Sequence, residues 1–528
     1  AAAFTLAPPA WALEYYVSPT GSDSNPGTLA LPFASIARGQ TAASAGDTVW
    51  LRGGVYEYVA GAGASANAVL FNKSGAPGAR INYWAYPGET PVFDFNNYLP
   101  VERIRGFSVQ ADYLHFKGLE LRGVQQVITN VNESWGIRVE GSGGDWNIFE
   151  QLNLHHNEGP GLFIINGGNN LVLNSDSHDN YDPDRGGENA DGFGSHSDDD
   201  GNIFMGNRSW NNSDDGYDFI NSPGRVQLID SWAWHNGYVY GTNTAAGNGA
   251  GIKAGGFLLN SANFPPPEDV PTNLVQGTLS FDNRVQGYYA NHHPGGIEWI
   301  NNTAFDNPRG FDLINDVDPQ NWPADHYLRN NIAYANGQDL ANANLSLIDD
   351  EFNTWNTGFS VSAADFVSLV PTGVDGPRQA DGSLPVLEFL HLLQNSNLVD
   401  AGQDVGLPFS GTAPDLGAFE FLGLAPIDGD VDGDGDVDAF ETDNDMISDL
   451  DIIAANFRQG GAVRSTGDLT GDGVVDLSDF RVWKANYPGA FPQFLFGGQE
   501  APEPTAVPLA ALTLGAAMGL TGRLRKGQ

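Results

Sequence analysis

NIFEQLNLHHN (147–157) opens a series of seven short, β-rich runs that each end in Asn. The other six runs are LVLNSDSHDN (171–180), NIFMGNRSWNN (202–212), VQLIDSWAWHN (226–236), NLVQGTLSFDN (273–283), IEWINNTAFDN (297–307) and YLRNNIAYAN (327–336). Their final Asn residues are 23, 32, 24, 47, 24 and 29 residues apart. These spacings indicate a repeat with a base period near 24, in which we expect the longest interval to hold a double coil and the others to carry insertions.

The runs alternate with period two and are interrupted by Gly and Asn every few residues, which fits leucine-rich or helical repeats less well than a stack of short strands. Stacked coils at about 4.8 Å would let the recurring Asn side chains form a ladder of amide hydrogen bonds. We therefore predict an all-β fold, a right-handed parallel β-helix. The segments at 15–36 and 45–58 resemble the opening of many β-helix polysaccharide enzymes, with a first strand, a capping segment and the first coils.

After the Asn-ended runs, the chain places a Gly before an aromatic or aliphatic residue. The tripeptides are GLF (161–163), GFG (192–194), GYD (216–218), GIK (251–253), GYY (287–289) and GFD (310–312). If these glycines are in register, Asp191 and Asp215 become vertical neighbours, and Asp218 and Lys253 share one column. The sequence thus predicts that five residues converge on one face: Asp191, Asp214, Asp215, Asp218 and Lys253.

Clustered carboxylates repel one another unless they take up protons or share a divalent cation, and Ca²⁺ accepts six to eight oxygen ligands in loose geometry. A cation could also neutralise a uronate carboxylate and so acidify the neighbouring C5 proton, which Lys253 is placed to accept as a base. Two alternatives stay open at this point. Lys253 could form a simple salt bridge with Asp218, and the acidic cluster could be a structural calcium site or a solvated turn.

The formal net charge of −41 argues against a nucleic-acid partner, because a phosphate backbone is bound by surplus Lys and Arg. An acidic protein also repels an acidic sugar polymer, so a bound cation is the natural mediator. With no cysteine, the chain can form neither disulfides nor a Cys-ligated zinc site nor a thiol nucleophile. Candidate metal ligands are therefore oxygen atoms, and candidate bases are nitrogen atoms.

The segments ENADGFGSH (188–196), NNSDDGYDFI (211–220) and NGAGIKAGG (248–256) resemble polysaccharide lyase family 9, the pectate lyases that use a lysine base. The closing segment at 396–421 is similar as well, so the likeness covers residues 15–421. The resemblance implies β-elimination on an acidic plant or algal polysaccharide such as polygalacturonate. In that case Asp191, Asp214, Asp215 and Asp218 would ligate one Ca²⁺, and Lys253 would abstract the C5 proton.

Two departures from that family lie beside the predicted site. His196 stands where a lysine is expected, and it could bind a sugar carboxylate or be an ordinary turn histidine. Residues 182–188 form an unusually charged insertion. Substrate choice is therefore less firmly predicted than reaction type. A glycoside hydrolase or C5-epimerase on the same scaffold, or a non-catalytic calcium-binding surface adhesin, are the rival functions.

Two later segments have the spacing of calcium loops, with oxygen ligands at positions 1, 3, 5, 9 and 12, the backbone of position 7 and Gly at position 6. The predicted ligands are Asp430, Asp432, Asp434, Asp436, Asp438 and Glu441 in the first loop, and Asp468, Thr470, Asp472, Val474, Asp476 and Asp479 in the second. Each loop precedes similar helical text. The pair resembles a dockerin, which implies two Ca²⁺ ions and a cohesin-like protein partner, although a spacer role fits equally well.

The sequence divides into four segments: a signal-peptide remnant (1–12), a β-helix lyase domain (13–424), a dockerin-like α-helical calcium-loop module (425–490), and a linker with a tail (491–528). The tail joins Pro-Glu-Pro (502–504), an apolar run at 506–520 and basic residues, an order that resembles PEP-CTERM sorting signals. We expect a secreted or cell-surface monomer.

Overall fold

The computed structural model describes residues 12–100, 102–127, 134–257, 270–314, 325–356, 358–421, 449–456, 467, 469–470 and 474–487. The chain divides into two compact units, residues 1–420 and 421–528. In the described part of the first unit, each coil contributes one strand to each of three parallel sheets, with strands numbered here in chain order. This arrangement confirms the prediction of a parallel β-helix.

Sheet 1 starts the coils and contains 12 strands among the described residues. They are β1 (Glu14–Val17), β2 (Thr48–Leu51), β5 (Ile81–Ala85), β8 (Leu114–Lys117), β11 (Ile148–Glu150), β14 (Leu171–Leu173), β17 (Asn202–Met205), β20 (Val226–Ile229), β23 (Asn273–Gln276), β26 (Ile297–Ile300), β29 (His326–Arg329) and β32 (Ile348–Glu351).

Sheet 2 follows sheet 1 in each coil and has 10 described strands. They are β3 (Gly54–Val59), β6 (Pro91–Asn97), β9 (Glu120–Arg122), β12 (Asn153–His155), β15 (Asp176–His178), β18 (Arg208–Trp210), β21 (Trp232–Trp234), β24 (Leu279–Phe281), β27 (Thr303–Phe305) and β30 (Ile332–Tyr334).

Sheet 3 completes each coil, also with 10 described strands. They are β4 (Asn67–Phe71), β7 (Arg105–Val109), β10 (Trp135–Val139), β13 (Leu162–Ile164), β16 (Phe193–Ser195), β19 (Tyr217–Asp218), β22 (Ala250–Lys253), β25 (Gln286–Tyr289), β28 (Arg309–Asp312) and β31 (Leu340–Ala341). The described helices are α1 (Ile36–Ala42), α2 (Asp449–Asn456) and α3 (Leu477–Asn486), with short 3-10 turns at Leu345–Leu347 and Ala363–Asp365.

The interior of the coil is filled by side chains that stack on their equivalents in the next coil. Phe193 stacks on Tyr217 with ring centroids 5.4 Å apart, and Tyr288 stacks on Phe311 at 4.5 Å. All four rings are fully or almost fully buried. Aromatic burial of this kind stabilises the coil, since every ring removes a large apolar area from water.

The predicted Asn ladder is confirmed. Each member donates from its backbone N–H and its side-chain amide to the Oδ1 of the next, as Asn180 does to Asn212 (3.3 and 2.8 Å) and Asn212 does to Asn236 (3.1 and 3.2 Å). The ladder runs through Asn157, Asn180, Asn212, Asn236, Asn283, Asn307 and Asn336. It thereby satisfies buried amides at the bend between sheets 2 and 3.

The expected double coil is wrong. Asn236 donates directly to Asn283, and β21 pairs with β24, so these residues lie in adjacent coils. The extra length is in the connections, in particular residues 237–249 between β21 and β22. A long turn adds residues without adding a coil, and spacing alone does not distinguish the two.

The segment 358–421 packs on the outer face of sheet 2. Its Phe366, Phe389 and Leu392 share a buried cluster with Trp232 and Trp234. Arg378 of this segment also forms an ion pair with Asp176 of β15, at 2.7 Å. The part of sheet 2 from β15 to β30 is therefore covered, whereas sheet 3 carries the residues that the sequence singled out.

In the second unit, α2 and α3 contribute to a small apolar cluster that includes Leu450, Ile453, Val475 and Trp483. They occur where the sequence predicts helices after the two loops. None of the described helices has the length and apolar character needed to cross a membrane.

Candidate functional site

The strand register of sheet 3 places the predicted residues on one face. Gly194 of β16 pairs with Asp218 of β19, which pairs with Lys253 of β22, and Lys253 pairs with Tyr289 of β25. One position earlier than the repeated glycines, the backbone N–H of Asp215 donates to Asp191 Oδ1 at 3.0 Å. Both predicted vertical alignments are confirmed.

The repeated glycine at or near the start of each of these strands lets neighbouring coils approach each other closely. A Cβ at Gly192 would overlap the hydroxyl of Ser209 and the backbone of Gly216. The Ser209 hydroxyl instead donates to the Gly216 carbonyl at 2.7 Å. The repeated Gly therefore sets how closely neighbouring coils lie where the strand begins. The acidic side chains leave the sheet from this point.

Lys253 lies between two carboxylates. Its Nζ is 3.1 Å from Asp215 Oδ2 and 3.0 Å from Asp218 Oδ2. The lysine is only 9% exposed, and Asp215 is fully buried. The backbone also holds both acids, because Ala250 N–H donates to Asp215 Oδ1 at 2.7 Å and Ile220 N–H donates to Asp218 Oδ1 at 2.8 Å. The amine and its acids are thus fixed before any substrate arrives.

Three carboxylates form a group that could hold a metal ion. One oxygen from each of Asp191, Asp215 and Asp218 lies within 4.8 Å of the others. Burial raises the pKa of Asp215 to about 7, although the positive charge of Lys253 acts to lower it. Burial and the neighbouring acids also raise the pKa of Asp191 well above its ordinary value. Such repulsion is what a divalent cation relieves, and the all-oxygen donor set suits Ca²⁺.

Asp214, the fourth predicted ligand, lies at the cluster but is used differently. Its two oxygens accept backbone N–H groups from Asn189 and Asn248, both at 2.6 Å. These contacts tie together the long turns that precede β16 and β22. It is not one of the three acids whose oxygens approach one another. Its position within the acidic pair 214–215 gives no sign of this difference, because both residues have the same chemistry.

The charge around Lys253 acts in both directions. Burial lowers the pKa of its amine, but the carboxylates of Asp215, Asp218, Asp214 and Asp191 outweigh burial and hold the pKa well above its ordinary value. In the metal-free protein, Lys253 is a protonated partner of two acids.

His196 lies next to the cluster and packs edge-on against Phe163, with ring centroids 4.5 Å apart. Its Nε2 is buried and has no hydrogen-bond partner among the residues that the structure describes. Burial lowers the pKa of the imidazole to about 4, against the opposing charge of Asp218. A neutral imidazole therefore replaces the expected cation at this position. In the charged insertion, Asp182 accepts the N–H groups of Asp184 and Arg185 and closes its own turn.

Phe163 and Tyr289 are outward neighbours that the sequence reading did not assign to the site. They occupy the same row as Gly194, Asp218 and Lys253. Both are the third residue of a Gly-containing tripeptide, so the same register that gave Lys253 also indicated them. Their uncharged side chains did not mark them as candidates.

In the second unit, four of the predicted calcium-loop residues are described. Asp479 is fully buried, and its carboxylate accepts the N–H of Thr470 (2.9 Å) and of Asp476 (2.7 Å). Asp476 caps α3 by accepting from Ser478 N–H, and Val474 is 39% exposed. The other predicted loop ligands lie outside the described residues: Asp430, Asp432, Asp434, Asp436, Asp438, Glu441, Asp468 and Asp472.

The family model described as "Pel9A-like, right handed beta helix region" matches residues 15–344. Pectate lyase L of Dickeya dadantii (strain 3937) is 38% identical over 416 residues, which cover 77% of this chain and 90% of that protein.

Two solved structures are also similar. The crystal structure of pectate lyase Pel9A has a TM-score of 0.65 and 36% identity, and the match covers 77% of this chain and 96% of that one. The structure of a rhamnogalacturonan lyase has a TM-score of 0.65 and 32% identity, with coverage of 72% and 96%.

Proposed function

This chain belongs to the Pel9A-like right-handed β-helix family and is a polysaccharide lyase, and we propose that it is a calcium-dependent pectate lyase with Lys253 as its base. The proposed reaction is β-elimination in an α-1,4-galacturonan such as polygalacturonate. The observation that carries it is a single buried amine held 3.0–3.1 Å from two acids of a metal-type cluster.

Asp191, Asp215 and Asp218 are the residues that would hold Ca²⁺, with Asp214 fixing the surrounding turns. A bound Ca²⁺ supplies positive charge that offsets these carboxylates and the carboxylate of a uronate, which acidifies the C5 proton. Burial is the largest influence on the pKa of Lys253 and favours the neutral amine, and a bound cation would weaken the opposing effect of the carboxylates. Lys253 Nζ accepts the C5 proton, while Asp215 and Asp218 hold the amine in place. The C4–C5 double bond forms as the C4–O bond to the leaving sugar breaks, and water protonates the leaving oxygen.

The arrangement supports a lyase better than a glycoside hydrolase. A hydrolase needs two carboxyl groups on opposite sides of the scissile bond, about 5–5.5 Å or 6.5–9.5 Å apart. Here one oxygen from each of the three acids lies within 4.8 Å of the other two, and two of the three acids already pair with Lys253. A lysine between them has no part in hydrolysis, whereas proton abstraction requires a base of this kind.

A second candidate substrate is rhamnogalacturonan. It is favoured by the similarity to a solved rhamnogalacturonan lyase and by His196, since a neutral side chain replaces the cation expected beside the acids. A polymer that alternates acidic and neutral sugars needs fewer cationic contacts than polygalacturonate does. Both substrates share the uronate chemistry proposed for Lys253.

For the second unit, we propose a dockerin-like module with two calcium loops and a cohesin-like partner. Asp479 supports this proposal because its buried carboxylate accepts the backbone N–H of Thr470 at 2.9 Å, so positions 3 and 12 of the predicted loop lie close together. We further propose that the protein is a secreted or cell-surface monomer.

The test is incubation with polygalacturonate and with rhamnogalacturonan, each with Ca²⁺ or with a chelator. Ultraviolet absorbance of the new C4–C5 double bond is expected only with Ca²⁺. New reducing ends without absorbance would indicate hydrolysis instead, and solvent proton exchange at C5 without chain cleavage would indicate an epimerase.

A further inference from the structure

The row of sheet 3 that contains Lys253 has uncharged residues on both sides of the reactive pair, Asp218 and Lys253. In consecutive coils the row runs through Phe163, Gly194, Asp218, Lys253, Tyr289, Asp312 and Ala341. Each step along the row is about 4.8 Å, the usual strand spacing. Lys253 is the only basic residue of this row, so the pair has no cation directly beside it in the neighbouring coils.

Tyr289 lies beside Lys253, on the side opposite to Asp218. It is half-buried, whereas the preceding Tyr288 points inward, is fully buried and donates its hydroxyl to the Thr278 carbonyl at 2.7 Å. Within the described part of the chain, the Tyr289 hydroxyl has no hydrogen-bond partner. Its ring and its hydroxyl are therefore available to a ligand that lies along the row.

Phe163 provides the corresponding surface beyond Asp218. A Cβ at Gly194 would overlap the Phe163 ring, so the glycine allows this ring to lie over the next coil, towards Asp218. His196 packs edge-on against the same ring, with centroids 4.5 Å apart. An aromatic pair thus borders the acids on this side, as Tyr289 borders the amine on the other.

The charged residues that follow Tyr289 are paired with each other. Asp312 is 1% exposed and accepts from Arg309 Nη1 and from Asn342 Nδ2, both at 2.7 Å. The charge of Arg309 is therefore offset by a buried carboxylate. Asp312 in turn has both oxygens occupied and does not extend the metal-type cluster.

The sequence around the row is also poor in cations. Segments 258–269 and 315–324, which follow β22 and β28 in the chain, contain no Lys or Arg. The whole chain has 24 basic and 65 acidic residues. A polymer with fewer free carboxylates is therefore repelled less by this protein than a fully acidic one.

We propose that the sugar units on either side of the reacting uronate bind to these uncharged surfaces, with Tyr289 as a specificity-determining residue. The polymer then needs one free carboxylate, at the metal-type cluster, while the adjoining units can be methyl-esterified or neutral. The inference rests on the proposed function for the reaction and for the uronate at the cluster. A phenol suits this role, because its ring packs on the apolar face of a sugar and its hydroxyl bonds to a sugar hydroxyl. A carboxylate placed there would lose water without gaining a cation.

The experiment measures kcat/KM on galacturonans of equal length and graded, random methyl esterification, with Ca²⁺ and about 0.15 M salt to screen long-range repulsion. At half esterification, a requirement for one free carboxylate leaves about one half of the value for polygalacturonate, and a requirement for three consecutive ones leaves about one eighth. About one half or more is expected. A value of about one quarter or less would overturn the proposal, because the adjoining units would then have to be acidic.

Two variants test Tyr289 itself. Tyr289→Arg offers a cation to an adjoining carboxylate, so the preference for polygalacturonate over the half-esterified polymer should rise by about 3–10-fold. Tyr289→Phe keeps the ring and loses the hydroxyl, so KM should rise by about 2–10-fold on both polymers while kcat changes by less than about twofold. An unchanged preference in the first variant, or an unchanged KM in the second, would remove Tyr289 from the site.

Tyr327→Arg is the matched control. Tyr327 is also a half-buried tyrosine, but it lies in β29 of sheet 1, where it pairs with Glu298. The same added charge at this position should leave the preference between the two polymers unchanged. Urea unfolding of each variant checks the fold.

Native gels that contain Ca²⁺ and either polymer measure binding without turnover when they are run with Lys253→Met. Similar retardation by the half-esterified and the fully acidic polymer is expected, and loss of retardation by the half-esterified polymer would also overturn the proposal. If wild type cleaves neither polymer but the gel result holds, the proposed reaction fails and the uncharged binding surfaces stand.

Discussion

Replacement of Lys253 by Met separates its role as a base from its role as a salt bridge. Met keeps most of the volume of the lysine stem but removes the amine that lies 3.1 Å from Asp215 and 3.0 Å from Asp218. As a base, Lys253 contributes about 10²–10⁴ in rate, so kcat/KM should fall by at least about 100-fold. As a bridge, its loss leaves buried acids without their cation, which costs about 3–5 kcal/mol of unfolding free energy in the metal-free protein.

The two effects respond differently to Ca²⁺. Ca²⁺ at the acids offsets their charge, so the loss of stability in Lys253→Met should shrink at saturating Ca²⁺, while the loss of activity should remain. The assays are product absorbance and urea unfolding, each with Ca²⁺ and with chelator. Lys117→Met is the control, since Lys117 pairs with Glu150 at 2.6 Å but is 39% exposed and should cost less than about 1 kcal/mol. A calcium-saturated Lys253→Met enzyme with activity within about threefold of wild type refutes the reasoning.

Three further predictions follow from the same structure. Asp191→Asn should weaken Ca²⁺ binding at the lyase site by at least about tenfold in calorimetric titration, since it removes one of three clustered carboxylates; unchanged affinity would exclude this residue as a ligand. Asn212→Ala should lower the unfolding free energy by about 3 kcal/mol, because it breaks the ladder on both sides. Asn336→Ala, at the partly exposed last rung, should cost less, and equal losses would contradict a cooperative ladder. Burial raises the pKa of Asp176, but hydrogen bonds from Arg208 and the charge of Arg378 outweigh burial and keep this pKa below its ordinary value. The ion pair between Asp176 and Arg378 therefore stabilises the fold above about pH 4, and its contribution disappears as the pH falls through the lowered pKa. Arg378→Gln should cost more stability in urea unfolding at pH 7 than at a pH below that lowered pKa, and an equal cost at both would contradict the linkage.

The register of the site could be predicted from the sequence because two signals agreed. The final Asn of each run and the Gly that follows both mark fixed positions of the coil, so aligning them placed Lys253 beside Asp218. Stacked coils translate a linear spacing directly into a vertical contact. In few other folds can a contact between residues 35 positions apart be predicted from their spacing in the sequence alone.

Other features depend on turns, whose paths are not periodic. Residues 214 and 215 are both Asp, so the sequence does not distinguish them. Only the turns at Asn189 and Asn248 give Asp214 its different hydrogen-bond donors. The cover of sheet 2 by residues 358–421 depends on contacts such as Arg378 with Asp176, about 200 positions apart.

The long turns after Asn180 and Asn236 both leave the coil at the bend between sheets 2 and 3, directly after a rung of the Asn ladder. The rungs before and after them keep their spacing, so the length of these turns is decoupled from the spacing of the strands. Mutations that lengthen, shorten or exchange them can remodel the surface beside the site while the amine and its acids stay in place. Such a scaffold is suited to diversification by loop grafting, in nature and in the laboratory, with new polymer preferences acquired at little cost to folding.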